Sequence, residues 1–359
     1  MQLILAVETS CDDTSVAVVR HDGFVLSLCS AHQDLVHRPF GGIVPEIASR
    51  NHTEQLLPLI ERALSEARVG WDSIDGLAVT SRPGLIGSLI VGLVTVKTLA
   101  LAKNLPFVGV NHLEAHLLAP FLSDKDHSPP KTFDFPYLAL AISGGHTHLY
   151  EVRALNDYWV LGQTVDDAAG EAFDKFAKMV GLGFPGGVQV DRLAQQGDPR
   201  AFEFPRPKSR EENFDFSFSG LKTAAQRMVQ QMDPLEVKNH LADLCASYQE
   251  AIVDSLLSKL KRAVEKVPKS GDSSPWSVVL TGGVSANSRL REAARLWAED
   301  RGVHLVVPPP RFCTDNAAMV GYAGIQRLRR GEASQQDLAP SPRLYEGDFH
   351  YTSLSPRRR

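Results

Sequence analysis

Twice along this chain an apolar run ends in a short polar turn, and a second β-rich run leaves that turn. Residues 2–7 run into Glu8-Thr9-Ser10-Cys11-Asp12-Asp13-Thr14 and continue through 15–20; residues 137–142 run into Ser143-Gly144-Gly145-His146-Thr147 and continue through 148–152. Short apolar runs bounded by turn residues predict strands, so each copy predicts a hairpin that opens a sheet. Around the first copy the sequence predicts a third strand at 24–28 after Asp22-Gly23. A helix at 52–67 has Leu56, Leu57, Ile60, Ala63 and Leu64 on one face. A strand at 74–79, a buried helix at 87–103 and a strand at 107–110 follow. Residues 123–136 read as a junction loop. Around the second copy come a helix at 166–180, a charged loop at 205–213 and one long helix or two over 235–267. A strand at 277–280, a helix at 289–298, a strand at 303–307 and a helix at 316–329 complete the pattern. Strands alternating with helices predict an α/β protein with mixed sheets, and the restart predicts a duplicated architecture.

Length and composition narrow the class. At roughly 100–200 residues per domain, 359 residues predict about two domains. Apolar content of 43% and charged content of 22% belong to an ordinary globular chain rather than a disordered one. No window holds the roughly 18–20 uninterrupted apolar residues of a membrane span; residues 85–102 are interrupted by Lys97 and two glycines. The first residues lack the basic n-region of a signal peptide. Cys11, Cys29, Cys245 and Cys313 form no CxxC pair and read as reduced thiols, which places the chain in the cytoplasm. The net charge of −4 neither requires nor excludes a nucleic-acid partner, because a local basic patch suffices.

The sharpest candidate chemistry is Asn111-His112-Leu113-Glu114-Ala115-His116. Asn111 is a candidate N-cap, with Glu114 placed for a capping box. His112 and His116 stand about 6 Å apart along a helix axis, on one face, as two imidazoles must to grip one metal. The competing reading packs one histidine in a cleft and leaves the other as a cap or in solvent. The spacing is not HExxH, which removes the usual zinc-protease reading. Asp315, in Cys313-Thr314-Asp315-Asn316, is the best supplier of a third ligand; its competing role is a plain N-cap.

Glycine turns at 143–147, 185–187 and 281–287 suit backbone N–H contacts to a phosphate, with ordinary tight turns as the alternative. Glu8, Asp12 and Asp13 surround the first turn. Asp166, Asp167, Glu171 and Asp174 line one predicted helix, where a solvated face competes with ligand binding. Arg206, Lys208, Arg210, Lys222, Arg227, Arg327, Arg329, Arg330 and the terminal arginines could neutralise RNA phosphates, or be plain surface charge.

Taken together, 8–14, 112–116, 143–147, 166–175, 216–223, 281–287 and 313–316, in this order, closely resemble the bacterial tRNA N6-adenosine threonylcarbamoyltransferases. That family was once called glycoprotease or O-sialoglycoprotein endopeptidase. The resemblance spans roughly residues 1–330. It implies a two-lobed actin-like (ASKHA) fold with duplicated ribonuclease-H-like mixed sheets and an interlobe cleft. The implied lobes are 1–110, joined by a C-terminal helix near 316–333, and 111–315, which would carry the metal and substrate loops. Residues 334–359 would form a polar, basic and disordered tail.

The resemblance further implies threonylcarbamoyl-AMP as donor and adenosine 37 of tRNAs reading codons that begin with A as acceptor. By position, His112, His116 and Asp315 match the metal ligands, usually for iron(II), with zinc as the alternative. Ala141, Ile142, Ser143, Gly144 and Gly145 match the substrate loop. Asp174, Gly187, Asp191 and Asn287 match further substrate contacts. Asp12 and Asp13 match acidic positions near the reacting groups; many members carry Glu where Asp13 stands. Archaeal relatives place a ligating tyrosine where Ala141 stands, so three protein ligands are expected here. The implied partners are a paralogous subunit (TsaB), which pairs through the N-terminal lobe, and a small ATPase (TsaE), with no membrane. A metallopeptidase, a sugar or carboxylate kinase and a non-enzymatic scaffold are the alternative readings.

Overall fold

The computed structural model describes residues 1–208, 211–268 and 276–352. The chain forms two compact units: residues 1–131 with 308–348, and residues 132–307 with 349–352. Elements are numbered along the chain.

The first unit holds a five-stranded mixed sheet of order β3-β2-β1-β4-β5. Its strands are β1 (Leu3–Glu8), β2 (Thr14–Arg20), β3 (Val25–Ala31), β4 (Gly76–Arg82) and β5 (Phe107–Asn111). The first three form an antiparallel meander, and β4 and β5 run parallel to β1. Its helices are α1 (Asp34–His37), α2 (Pro45–Ala67), α3 (Ile86–Lys103), α4 (His112–Leu118), α11 (Pro310–Cys313) and α12 (Ala317–Arg329).

Strand side chains alternate between faces, and both faces of this sheet are apolar. Leu5, Val7, Val16, Val18, Leu77 and Val79 pack on Leu56, Ile60 and Ala63 of α2 and on Leu93, Val96 and Ala100 of α3. The opposite face receives α12, whose glycines let the helix sit close. A Cβ on Gly321 would lie 2.8 Å from Val19 Cγ2, and one on Gly324 would strike the Ala78 methyl. Helix α3 is long and apolar enough to cross a membrane by length and composition. Its inner face is nevertheless buried in the protein core.

The second unit repeats the plan. Its strands are β6 (Tyr137–Ile142), β7 (Thr147–Ala154), β8 (Asp157–Gln163), β9 (Ser277–Thr281), β10 (His304–Val306) and β11 (His350–Tyr351). The six-stranded order is β10-β9-β6-β7-β8-β11. Here β6-β7-β8 form an antiparallel meander, and β9 and β10 run parallel to β6. The duplication read from the hairpins is therefore a duplication of topology. The helices are α5 (Ala169–Met179), α6 (Gly186–Ala194), α7 (Ser219–Gln231), α8 (Pro234–Asn239), α9 (Leu241–Lys266) and α10 (Ser288–Arg301). One face of this sheet, with Leu138, Leu140, Ile142, Leu149 and Leu280, closes a core with Phe173, Phe176, Ile252 and Leu290. In that core Phe176 stacks on Tyr248 at 4.0 Å.

The unit boundaries differ from the expected 1–110 and 111–315. Residues 111–131 stay with the first sheet because the chain pairs back onto its edge. Val25 N donates to Ser123 O at 2.8 Å, and Ser123 N donates to Gly23 O at 2.9 Å. Residues 308–315 stay there too, where Arg311 holds Asp124 at 2.7 and 2.9 Å. Helix α12 packs on the first sheet and belongs to the first unit. The tail was expected to be disordered, but residues 334–348 are laid along the first unit. Ser334 N donates to Phe107 O at 2.8 Å, Lys97 Nζ donates to Leu338 O at 3.1 Å, and the Arg82 guanidinium grips the Asp348 carboxylate. The terminal arginines and Arg210 lie outside the described residues.

Candidate functional site

The first unit assembles a buried titratable cluster. Strand β5 ends at Asn111, whose side chain accepts from Leu113 N at 2.9 Å and starts α4. That cap sets His112 in the first turn and His116 in the next, with ring centroids 4.6 Å apart. Asp315 reaches both: its Oδ1 lies 3.0 Å from His116 Nε2 and 3.4 Å from His112 Nε2. The N-cap role open to Asp315 falls instead to Asn316, whose Oδ1 accepts from Met319 N at 3.0 Å. Asp315 is thereby left to face the histidines. The turn that carries it is fixed by Cys313, whose buried thiol donates to Pro308 O at 3.1 Å.

One ligand atom from each of His112, His116 and Asp315 can be chosen within 4.8 Å of one another, so the group could hold a metal ion. Glu8 completes the arrangement. Its Oε2 is 3.2 Å from His112 Nδ1, which leaves Nε2 directed to the Asp315 side. A carboxylate behind a ligating histidine is the usual means of fixing its tautomer and orientation. Ser10 N donates to Glu8 Oε1 at 2.5 Å, and Thr80 Oγ1 donates to Oε2, so this buried acid is fully engaged. Burial opposes charge on all three, but the imidazoles hold Asp315 well below the usual carboxylate range. The two carboxylates in turn hold His112 well above the usual histidine range, while burial lowers His116.

The turn from Thr9 to Asp13 is braced from several sides. Leu85 N donates to Ser10 O at 2.7 Å. A Cβ on Gly84 would lie 2.5 Å from that same oxygen, so only glycine allows the approach. His52 of α2 bonds Cys11 O at 3.0 Å and Thr14 Oγ1 at 2.7 Å. Asp13 Oδ1 lies 2.9 Å from His32 Nδ1. Burial pushes the Asp13 carboxyl up to about 6 and raises Asp12, and the charge of Asp315 contributes to both. Burial, with Asp12 beside it, pushes the Cys11 thiol well up, which leaves it an unreactive group.

The second unit gathers the glycine turns. Ser143 N donates to His146 O at 2.7 Å and closes the turn after β6. Gly144 and Gly145 project into open space, with nothing within 4 Å of an added Cβ. Gly282, at φ +84, follows the neighbouring parallel strand β9; a side chain there would strike Ile142 O. Ligand loops of α/β sheets collect at such strand ends. Asp174 Oδ1 accepts from Gly186 N at 2.8 Å and Gly187 N at 3.3 Å. Asp191 accepts from Ser288 N at 3.1 Å and Ser288 Oγ at 2.7 Å. Asn287 caps α10 through Leu290 N at 2.9 Å and donates to Gln249 at 2.6 Å. Asp174, Asp191 and Asn287 thus already tie the loops together.

The other charges are mostly paired. Asp166 and Asp167 lie in the turn before α5 rather than on the expected helix. Lys175 pairs with Asp167 at 3.0 Å and Glu171 at 2.7 Å, and Lys222 pairs with Asp167 at 2.8 Å. Asp166 accepts from Ser217 Oγ at 2.5 Å and Phe218 N at 2.8 Å, so these acids tie local structure together. Arg206 pairs with Asp254 and Lys208 with Glu211. The site residues that sequence reasoning left unassigned are Glu8, Ser10 and His52. Glu8 had a usable signal, an acid ending a strand that is otherwise apolar.

Residues 24–322 match the model of the TsaD family, described as tRNA N6-adenosine threonylcarbamoyltransferase. The protein of that name from Bdellovibrio bacteriovorus is 60% identical over 97% of this chain and 99% of its own length. Its namesake from Anaeromyxobacter dehalogenans is 51% identical over 95% and 99%. The chain is also similar in fold to component A of the (R)-2-hydroxyglutaryl-CoA dehydratase of Acidaminococcus fermentans. That likeness has a TM-score of 0.52 at 13% identity and covers 92% of this chain and 100% of that one. The fold is therefore the two-lobed actin-like type, and the chain belongs to the TsaD family of tRNA N6-adenosine threonylcarbamoyltransferases, transferases that modify tRNA.

Proposed function

We propose that the chain moves the threonylcarbamoyl group from threonylcarbamoyl-AMP to N6 of adenosine 37 in tRNAs reading codons that begin with A, with release of AMP. The observation that carries this reading is the His112–His116–Asp315 group with Glu8 behind it, in a chain of this family. Two imidazoles and a carboxylate suit iron(II), with zinc as the alternative. A bound ion of either kind supplies Lewis acidity at a carbonyl or phosphate oxygen.

The chain's own residues do the rest. His112, His116 and Asp315 hold the ion, and Glu8 orients His112. The backbone of Ser143, Gly144 and Gly145, beyond Ala141 and Ile142, cradles the donor, as the open space beside the two glycines allows. Asp174, Gly187, Asp191 and Asn287 form the remaining contacts. N6 of the adenine bonds to the carbamoyl carbon; the bond from that carbon to the phosphate oxygen breaks, and its electron pair leaves with AMP. Asp13, with Asp12 beside it, takes the amine proton. A carboxyl near 6 is largely ionised at neutral pH and is still basic enough for that role.

The reaction is placed in the cytoplasm. The partners in this reading are tRNA, TsaB on the first unit, and TsaE. Exposed Ile86, Ile90 and Val94 form a stripe along α3 that suits an apolar helical partner such as TsaB.

The test is single-turnover transfer. The purified chain, TsaB and TsaE are mixed with threonylcarbamoyl-AMP and unmodified tRNA, and the nucleosides are weighed after digestion. Threonylcarbamoyladenosine is expected; its absence with metal-loaded protein and active partners overturns the reading.

A further inference from the structure

Arg82 is a charged residue that the mechanism above does not use, and its backbone joins the two segments that carry the titratable centre. Strand β4 shifts register against β5 between Thr80 and Arg82, so Arg82 rather than Ser81 lies opposite Asn111. Such a bulge re-aims a side chain or ends the pairing. Asn111 is the cap that starts α4 and sets His112. On its other side Arg82 leads through Pro83 into Gly84 and Leu85, which close on Ser10 O. Ser10 N donates to Glu8 Oε1 at 2.5 Å, and Ser10 Oγ lies 3.2 Å from His112 Nδ1. Two backbone routes thus run from Arg82 to His112, one through Asn111 and one through Ser10.

The segment 334–348 fixes Arg82. Its Nε lies 2.9 Å from Asp348 Oδ2 while its Nη2 reaches Oδ1, a two-pronged pairing that sets both the place and the direction of the guanidinium. Only 11% of the Arg82 side chain and 8% of the Asp348 side chain are exposed, so water does not screen the pair as it does at a surface. The Tyr345 ring lies over the guanidinium at 4.4 Å, and Tyr345 N donates to Asp348 Oδ2 at 2.7 Å. Arg82 Nη1 donates to Ser81 Oγ at 3.3 Å, and Ser341 N donates to Ser81 O at 2.9 Å, which pins the bulge itself. All of these residues belong to the first unit.

We infer that Asp348 is a positioning residue for the metal centre: by clamping Arg82 it fixes the turn at 83–85 and the end of β4, and so sets Ser10 and Asn111 around His112. The inference rests on the metal reading above and extends it to the segment 334–348. Neither member of the pair touches the ion; the effect passes through backbone. A buried guanidinium deprived of its acid must find water or another partner, and the strand end that carries it moves with it.

The test sets zinc affinity, read by competition with a chelator, against thermal stability in the same proteins. Arg82→Met combined with Asp348→Leu removes both charges and leaves neither buried alone. Its dissociation constant for zinc should rise about tenfold, the lower end of the loss that follows removal of a residue behind a metal ligand. Asp348→Asn should raise it as much. Ser334→Ala is the control. It removes the bond from Gly109 N to Ser334 Oγ at the other end of the segment, and should lower Tm while changing zinc affinity less than about twofold. Zinc affinity in folded R82M/D348L equal to that of wild type overturns the inference and leaves the pair as a staple for the segment. An equal loss of affinity in S334A overturns it too, because affinity would then follow the stability of the whole segment. Should the charge variants fail to fold, Tyr345→Leu decides, since it removes the ring over Arg82 and keeps both charges. A rise of about threefold in the zinc dissociation constant is expected there, and no rise overturns the inference. Wild type that binds neither zinc nor iron(II) would instead overturn the metal reading.

Discussion

The two units share one strand plan and differ in what they place at its equivalent points. In the first, the turn between the leading antiparallel strands is Thr9 to Asp13, and the strand before it ends in buried Glu8. In the second, the same turn is Ser143 to His146, and the strand before it ends in Ile142. One turn offers carboxylates whose pKa values are raised by burial; the other offers bare backbone with open space beside two glycines. Duplicated topology therefore supplied two strand-end positions, and the residues made one a titratable centre and the other an open glycine turn. The fold sets where chemistry can occur, and the residues set which chemistry.

The comparison breaks most visibly at the titratable centre. Replacing His112 and His116 together with Ala should lower transfer by more than about a thousandfold, since two of three ligands go, while the glycine turns of the second unit keep donor binding. Donor affinity measured by calorimetry checks the second half; its loss along with transfer would show that the two turns are not separable. Glu8→Gln is expected to weaken metal binding by about 10–100-fold, the usual cost of removing an orienting partner, as read by competition with a chelator.

The second unit should respond in stability instead. Gly282→Ala forces a side chain into the left-handed region and against Ile142 O, and is expected to cost about 2–3 kcal/mol. Gly144→Ala meets nothing and should leave Tm within about a degree or two. Thermal melts of the two variants side by side separate a glycine the fold requires from one it does not.

A smaller effect belongs to pH. Asp13 must be ionised to accept a proton, and burial sets its carboxyl at about 6. The transfer rate should rise with pH through that value and then level off. Asp13→Asn should lower the plateau and remove the limb; a limb that survives assigns it to another group.

Much of this arrangement was legible in the chain. Strands β1, β6 and β9 were readable because uniform apolar runs end abruptly at turns, and the histidine pair because both lie within one helical turn of a capping Asn111. Other elements were hidden for physical reasons. Helix α7 buries only Leu221 and Ala225. Helix α6 begins with two glycines. In β8 a glycine interrupts the run because Phe214 packs against its Cα, leaving no room for a side chain. The first turn of α2 is largely exposed, so its start at Pro45 lacked an apolar signal. The assignment of 111–131 to the second lobe failed because backbone pairing to β3 decides it, and such pairing leaves no mark in composition. Glu8 was visible as an acid, but its role needed the 3.2 Å approach to a histidine 104 positions away.

The most direct test of the account is metal content. Wild-type protein and the H112A/H116A variant would be loaded anaerobically with iron(II), and separately with zinc, desalted and analysed by mass spectrometry of the elements. About one ion per wild-type chain and less than about a tenth of that in the variant is the expected result. Equal content in the two proteins, or none in folded wild type with either metal, would contradict the assignment of His112, His116 and Asp315 as the metal centre.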